Sequence, residues 1–205
     1  MSTMVWKELG LEMSNINCRK PLKTIKNMNE IWFTKVDLPY GWLGNMAPYP
    51  VLHDGCRWLT TEALFQTMRF EDEGIKELIR TQKSPMGAKM KAKANRGHMV
   101  IEPMSAADVA NMRVCLRLKV EQHRDVRERL LATGAALIYE DVGNRHGARH
   151  LFWGARRTPQ GVEGTNTLGT LWMELREELR NGTATYASGW SRVRCAMPRP
   201  RYPAC

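Results

Sequence analysis

The sequence predicts an α+β fold, a predominantly helical single domain with a small β element. Its 205 residues fit one domain, and the balance of 43% hydrophobic to 25% charged residues is typical of a globular protein with a core. Apolar residues recur at helical spacing in several long segments, whereas the segments with extended character are short. These observations together favour helices packed around a minor sheet.

The two ends of the chain differ in composition from its middle. Residues 1–30 show no sustained period, and residues 182–205 are rich in Gly, Ser, Pro and Arg without any acidic residue. We therefore predict a poorly ordered N-terminal extension and a basic C-terminal tail around a domain at 31–181. Much of the net charge of +10 lies in these ends. Such tails either contact the phosphates of a nucleic acid or simply keep the protein soluble.

Several classes of protein are excluded by what the sequence does not contain. No stretch of about 18 apolar residues and no signal-type N-terminus occur, so we expect a cytoplasmic protein with no membrane contact. Phosphate-binding glycine loops, a nucleophile elbow, an H-E-x-x-H pair and a C-x-x-C pair are missing too. His146 and His150 have a spacing that suits a metal. However, no other His or Cys lies nearby, and the segment around them is rich in glycine and is predicted to be a loop rather than a helix. We expect neither a metal nor a cofactor.

The first half of the domain combines short strands with one clear helix start. Extended character at 31–33 and 49–52, with the turn His53-Asp54-Gly55 after the second segment, predicts a small sheet. Thr60 and Thr61 are candidate N-caps of the helix that follows. Its residues Glu62, Gln66 and Arg69 form one polar stripe at positions i, i+4 and i+7.

Two further helices are predicted in the second half. Ser105 opens a capping box, and the helix that it starts continues through Leu131. A last helix carries apolar residues at helical spacing from Leu168 and ends near Asn181. Between the first helix and Ser105, a basic cluster either binds phosphate or faces water on a helix: Lys89, Lys91, Lys93 and Arg96.

Glu62 is the first candidate for a catalytic group. It lies in the first turn of its predicted helix, where the helix dipole favours an ionised carboxylate. An ionised carboxylate suits the stabilisation of a cationic sugar or the orientation of a water molecule at its anomeric carbon. The alternative is a glutamate that only supports the start of the helix.

Four aromatic residues beside glycines are predicted to lie in loops, where they either stack on a base or pack in the core: Phe33, Trp42, Trp58 and Trp153.

A larger series of motifs resembles a known family. The segments Tyr40-Gly41-Trp42-Leu43-Gly44-Asn45, Trp58–Gln66 and Arg69-Phe70 are similar to the Y-G-x-h-S-N, W-x-T-x-E-x-x-F-Q and K-F series of the YbiA-like NADAR family, where h is an apolar residue. The similarity continues through Trp153-Gly154 and Asn166–Gly169 to about residue 180. Each motif is weak alone, but so many in one order indicate a real relationship.

The resemblance implies a compact, largely helical α+β domain that acts as an N-glycosidase without a metal or an organic cofactor. Some members of the family split phosphoribosylamino-pyrimidine intermediates of riboflavin synthesis, and others remove ADP-ribose from guanine in DNA or nucleosides. The expected partners are therefore a ribosylated small molecule or an ADP-ribosylated nucleotide or DNA. An alternative is a module that binds ADP-ribose, another NAD derivative or nucleic acid without cleaving it.

The resemblance also assigns roles to residues. Glu62 matches the glutamate expected to be essential for catalysis. The residues expected to bind substrate are Lys35, Asn45, Trp58, Phe65, Gln66, Glu140, Trp153, Gly154 and Asn166.

One departure from the family pattern concerns a second carboxylate. The D-x-[YF]-W-G motif of the family reads His150-Leu151-Phe152-Trp153-Gly154 here. His150 could serve as the acid or base in its place, because an unperturbed histidine pKa of about 6.5 suits proton transfer at neutral pH. Glu140 or Asp141 could instead supply the lost carboxylate, or the change marks a subgroup with another substrate or without cleavage.

Overall fold

The computed structural model describes residues 29–145 and 147–183 of the chain. Within these residues it contains seven α-helices and six short strands, which confirms the predicted helical α+β fold. The predicted N-terminal extension and basic tail lie almost wholly outside the described residues. His146, one of the two histidines whose spacing suits a metal, is outside them too. The predictions made for these parts stay predictions. None of the described helices is both long and apolar enough to cross a membrane.

The strands form three separate two-stranded sheets. The first sheet pairs β1 (Glu30–Phe33) in parallel with β4 (Leu137–Glu140), so that the two strands end side by side. The second is a hairpin of β2 (Val51–His53) and β3 (Cys56–Trp58), which contains the predicted turn, and the third is a hairpin of β5 (Arg156–Thr158) and β6 (Gly161–Glu163). These strands are the small β element that the sequence predicts.

The helices of the first half begin at capped residues. The Thr60 hydroxyl accepts a hydrogen bond from the Ala63 amide and caps α1 (Thr61–Thr67), as predicted. Two helices that were not predicted as such follow it, α2 (Glu73–Arg80) and α3 (Pro85–Ala94), and both have N-caps of the usual kind, Asp72 and Ser84. Every residue of α1 is buried, because α2, α3 and α4 pack around it.

The helices of the second half differ from the prediction in two places. The continuous helix predicted from Ser105 to Leu131 is wrong, since α4 (Ala106–Gln122) and α5 (Arg124–Ala132) are separated at His123. The His123 backbone is extended there, and its ring Nε2 lies 2.6 Å from the Pro50 carbonyl oxygen. The glycine-rich segment predicted as a loop contains a short helix, α6 (Ala148–Trp153). The last predicted helix is present as α7 (Thr167–Arg180).

All four aromatic residues predicted in loops belong to the core. Phe33 and Trp58 lie in strands, and Trp42 lies in a short 3-10 turn. All three are buried, so the core alternative is correct for them. Trp153 ends α6 and packs edge-to-face against Phe65.

A buried lysine ties α4 to the turn that precedes Asn45. Lys119 is fully buried, and its Nζ donates hydrogen bonds to the carbonyl oxygens of Trp42, at 2.6 Å, and Gly44, at 2.9 Å. Burial lowers the pKa of Lys119 to about 7, against the opposing effect of the Asp125 carboxylate. The amine donates to both carbonyls in either protonation state, so the tie does not require the charge.

We expect this lysine to make the protein more stable as the pH rises from about 7 to about 8.5. In that range the unfolded lysine keeps its proton while the folded one has lost it, so each added pH unit raises the free energy of unfolding by up to about 1.4 kcal/mol. Denaturant titrations of the wild type and of Lys119→Met across this range measure the effect. Lys91→Met, on the exposed side of α3, is the matched control. An equal slope in Lys119→Met and the wild type would contradict the assignment.

Candidate active site

A cleft of about 490 Å³ lies where the ends of β1 and β4 meet α1 and α3. Seven of the residues predicted to form the site line it: Lys35, Asn45, Glu62, Phe65, Gln66, Glu140 and Trp153. They come from five different parts of the chain, which the fold brings together. The volume is in the range of pockets that hold a nucleotide-sized molecule.

Glu62 lies in the wall of the cleft, and hydrogen bonds of both its backbone and its side chain hold it there. Its amide donates a hydrogen bond to the Asn45 carbonyl oxygen at 3.0 Å. Its carboxylate is buried, and Oε1 accepts a hydrogen bond from Gln66 Nε2 at 2.9 Å. The Lys89 ammonium of α3 lies 3.8 Å from the same oxygen. The carboxylate therefore has a fixed position at the first turn of α1.

The predicted polar stripe of α1 continues beyond Glu62 into the interior. Arg69 donates to Gln66 Oε1 at 2.9 Å, and its guanidinium forms two hydrogen bonds of 2.8 Å with the Asp108 carboxylate. Arg69 and Asp108 are both buried, and only Arg69 of the two lines the cleft. The sequence motif did not indicate Asp108 as part of the site, because it contributes through Arg69.

Glu140 lines the same cleft at the end of β4. Burial raises the pKa of its carboxyl, while Arg145 lowers it, the negative charge of Glu62 raises it further and Lys89 lowers it. Burial dominates, so Glu140 keeps its proton to higher pH than an ordinary glutamate. Glu62 and Glu140 therefore face one cleft with different surroundings, and the exposed Asp37 is a third carboxylate in its lining.

Two predicted binding residues support Glu140 from behind. The Asn166 side chain accepts a hydrogen bond from the Glu140 amide at 3.1 Å and donates one to the Ile138 carbonyl at 2.8 Å. Any Cβ at Gly154 would collide with the Glu140 backbone, so only glycine allows this approach. Gly154 and Asn166 thus position the wall, and neither is part of the cleft lining. Trp58, on β3, is also outside the lining.

His150 and Asp141, the other candidates for the missing carboxylate, lie outside the lining of the cleft. His150 is on α6, where burial and then the charges of Arg145, Lys89 and Arg149 lower its pKa, so it is neutral at pH 7. Asp141 accepts a hydrogen bond from the Gly143 amide at 2.7 Å. Of the three groups, the geometry brings Glu140 into the wall.

Besides the buried Arg69, four cations line the cleft: Lys35, Lys89, Arg145 and Arg149. Arg145 is fixed by hydrogen bonds to the Val142 and Asp141 carbonyl oxygens, whereas Arg149 is exposed on the first turn of α6. The two arginines were missed in the sequence because their segment was predicted to be a loop and shows no periodicity. Within the described part of the chain, no group of three or more His, Cys, Asp or Glu side chains is placed to hold a metal ion.

Comparison with known proteins gives consistent matches. Residues 32–180 match the NADAR domain family. The chain is 38% identical to N-glycosidase YbiA of Shigella boydii over 140 residues, which cover 68% of this chain and 82% of that protein. It is 29% identical to a riboflavin biosynthesis protein of Vibrio vulnificus over 73% of this chain and 38% of that protein. The NMR structure of the Escherichia coli protein YbiA superposes with a TM-score of 0.63 at 33% identity, over 78% of this chain and 91% of that one.

Proposed function

This chain belongs to the NADAR family and is a hydrolase of N-glycosyl bonds, and on that premise we propose that it cleaves the bond between ribose C1 and a base-type exocyclic nitrogen in a phosphorylated substrate. The observation that carries the proposal is the cleft that holds the carboxyl groups of Glu62 and Glu140 beside several lysines and arginines. Carboxyl groups provide the chemistry for a glycosidic bond, and cations provide binding for a phosphate.

The two carboxyl groups take different roles because their surroundings differ. Glu140, with its raised pKa, donates a proton to the leaving nitrogen as the C1–N bond breaks and its electron pair stays with that nitrogen. Glu62, as a carboxylate, stabilises the positive charge that develops on the sugar. It then accepts a proton from the water molecule that attacks C1, which leaves a free amine and a ribose with a C1 hydroxyl. Proton exchange with solvent restores both groups.

The cations support a substrate with phosphate on the ribose side. Lys35, Lys89, Arg145 and Arg149 lie around the same cleft as the two carboxyl groups. A phosphoribosylamino-pyrimidine and an ADP-ribosylated guanine share a ribose phosphate and an exocyclic nitrogen at C1, so one site suits both. The name of the Vibrio relative favours the riboflavin intermediate.

A nucleic-acid substrate is supported by cations next to the cleft. Residues 78–101 contain six lysines and arginines and no Asp or Glu, and Lys93 lies one helical turn beyond Lys89 of the cleft wall. An ADP-ribosylated guanine in DNA would place neighbouring phosphates within reach of this surface. The basic tail, the other proposed contact, lies outside the described residues.

The test of the proposal is detection of the cleavage products by mass spectrometry. The protein is mixed separately with the phosphoribosylamino-pyrimidine intermediate, with ADP-ribosylated guanosine and with an ADP-ribosylated DNA oligomer. We expect wild-type protein to release a free base from at least one of them. Cleavage of none, together with tight binding of ADP-ribose, would replace the proposal with the non-catalytic binding module.

We expect Arg149→Gln to lower kcat/KM for the preferred substrate by about tenfold, mainly through KM, because a charge-assisted hydrogen bond to phosphate contributes roughly 1.5–3 kcal/mol. With the same substrate lacking its phosphate, the substitution should lower kcat/KM only slightly. Steady-state kinetics with both substrates measures the difference, and Arg57→Gln on the exposed side of β3 is the matched control. Equal losses with both substrates would contradict a phosphate contact.

A further inference from the structure

A chain of four buried polar side chains begins in the interior and ends at Glu62. Asp108 accepts two hydrogen bonds from Arg69, Arg69 donates to the oxygen of the Gln66 amide, and the nitrogen of that amide donates to Glu62. Each of the four side chains is at most 6% exposed. Every step in this chain is a hydrogen bond of 2.8 or 2.9 Å.

The direction of these hydrogen bonds is set at the buried end. An arginine side chain has only donors and keeps its charge at any pH a protein experiences, so the Gln66 end that faces Arg69 must be the oxygen. The amide nitrogen then has to face Glu62, where it needs an acceptor. With the amide reversed, its oxygen would face a Glu62 oxygen, and that contact requires a proton on Glu62.

We propose that Arg69 and Asp108 are positioning residues that fix the orientation of the Gln66 amide and thereby keep Glu62 a hydrogen-bond acceptor. The proposal rests on the proposed function, in which Glu62 acts as a carboxylate. Neither residue needs to touch the substrate for this role. Their effect reaches the reaction through Gln66.

The buried end of the chain is held by its own contacts. The Met104 amide donates to Asp108 Oδ2 at 2.8 Å, and the Asp108 amide donates to the Ser105 hydroxyl at 3.2 Å. The Arg69 guanidinium lies over the Phe65 ring at 4.4 Å. These contacts come from the start of α4 and from α1, so Arg69 has little freedom to turn away from Gln66.

Other titratable groups also face Glu62 and must stay unchanged in a test. Lys89 faces it from α3, Glu140 from β4 and Cys115 from α4. A substitution at Arg69 alters none of them. Loss of Arg69 alone would also remove a positive charge and leave Asp108 unpaired, and both changes favour a protonated Glu62. A change in the titration of Glu62 that appears when Arg69 and Asp108 are replaced together, with the local charge kept balanced, therefore reports on the amide.

The experiment measures the titration of the Glu62 carboxyl by ¹³C NMR in the full-length protein. The methionine variant combines Arg69→Met with Asp108→Leu, which removes one charge of each sign and replaces the buried ion pair by apolar groups, a change that proteins tolerate better than one unpaired partner. In this variant the amide is free to reverse, so we expect the titration midpoint of Glu62 to rise by about one pH unit, a tenfold change in proton affinity. In Arg69→Lys an ammonium still donates to the Gln66 oxygen, and the midpoint should stay near the wild-type value.

Two outcomes would overturn the inference: a midpoint that is unchanged in the methionine variant, or one that rises equally with lysine. The NMR measurement needs no turnover, so its result is separate from the substrate test. In an active protein, the acidic limb of the kcat/KM profile should move to higher pH in the methionine variant alone. A variant with a lower rate but an unmoved limb would point to a merely structural role for Arg69.

Discussion

Replacing Glu62 with glutamine should lower turnover by about 10³-fold or more while the protein stays folded. The amide has the shape of the carboxylate but carries no charge to stabilise a cationic sugar and cannot take a proton from water. Gln66 can still donate to its oxygen, so the buried hydrogen bond is kept. Single-turnover rates measured by product detection, with thermal unfolding of the same samples, test both halves of the expectation.

The matched control for this variant is Glu71→Gln. Glu71 is an exposed glutamate close in sequence to the site and outside the cleft, and the change of chemistry is the same. It should retain the wild-type rate. A Glu62→Gln protein that turns over at a rate close to that of Glu71→Gln would remove Glu62 from the mechanism.

The second large effect is expected for Glu140→Gln, which should slow cleavage of poor leaving amines by about 10²–10⁴-fold. A leaving group that departs without a proton should be slowed much less. Burial raises the pKa of Glu140, so the wild-type rate should fall as the pH rises through that raised value and the acid is lost. The Glu140→Gln variant should show no such fall in rate as the pH rises. Rates on a good and a poor leaving group across pH 5–9 measure both effects.

His150→Ala separates the two candidates for the acid. If Glu140 donates the proton, loss of His150 should affect good and poor leaving groups alike, through its position on α6 beside the cleft. The lowered pKa of His150 leaves little of its acid form at neutral pH. A selective loss on poor leaving groups in His150→Ala, with equal losses in Glu140→Gln, would assign the acid to the histidine instead.

The parts of the fold that could be predicted are those with local chemical signals. Thr60 and Ser105 were identified as helix starts because their side chains cap the first turn, and the turn at Asp54-Gly55 was identified by its composition. The break at His123 was missed because the periodicity continues across it. Contact of the histidine ring with the Pro50 carbonyl, 73 residues away, determines the break.

The residues of the site also divide into those with a local signal in the sequence and those placed by distant contacts. Glu62 and Gln66 could be predicted because they lie one turn apart on one helix, so their contact follows from helical spacing. Asp108 and Arg145 could not, because the first acts through a distant arginine and the second lies in an irregular segment. Trp58 and Asn166 match the family motifs, yet the structure places them outside the lining of the cleft. A motif identifies a residue that matters and does not show whether it touches the ligand.

The parallel pairing of β1 with β4 also bears on how the protein folds. Glu30 and Leu137 are partners although more than 100 residues separate them, so this contact closes a long loop and costs chain entropy before it yields stabilisation. Lys35 follows β1 directly and Glu140 ends β4, so the two sides of the cleft meet only when this loop closes. During synthesis the helix that carries Glu62 can form early, but a nascent chain released before Leu137 would contain the glutamate without an active site around it.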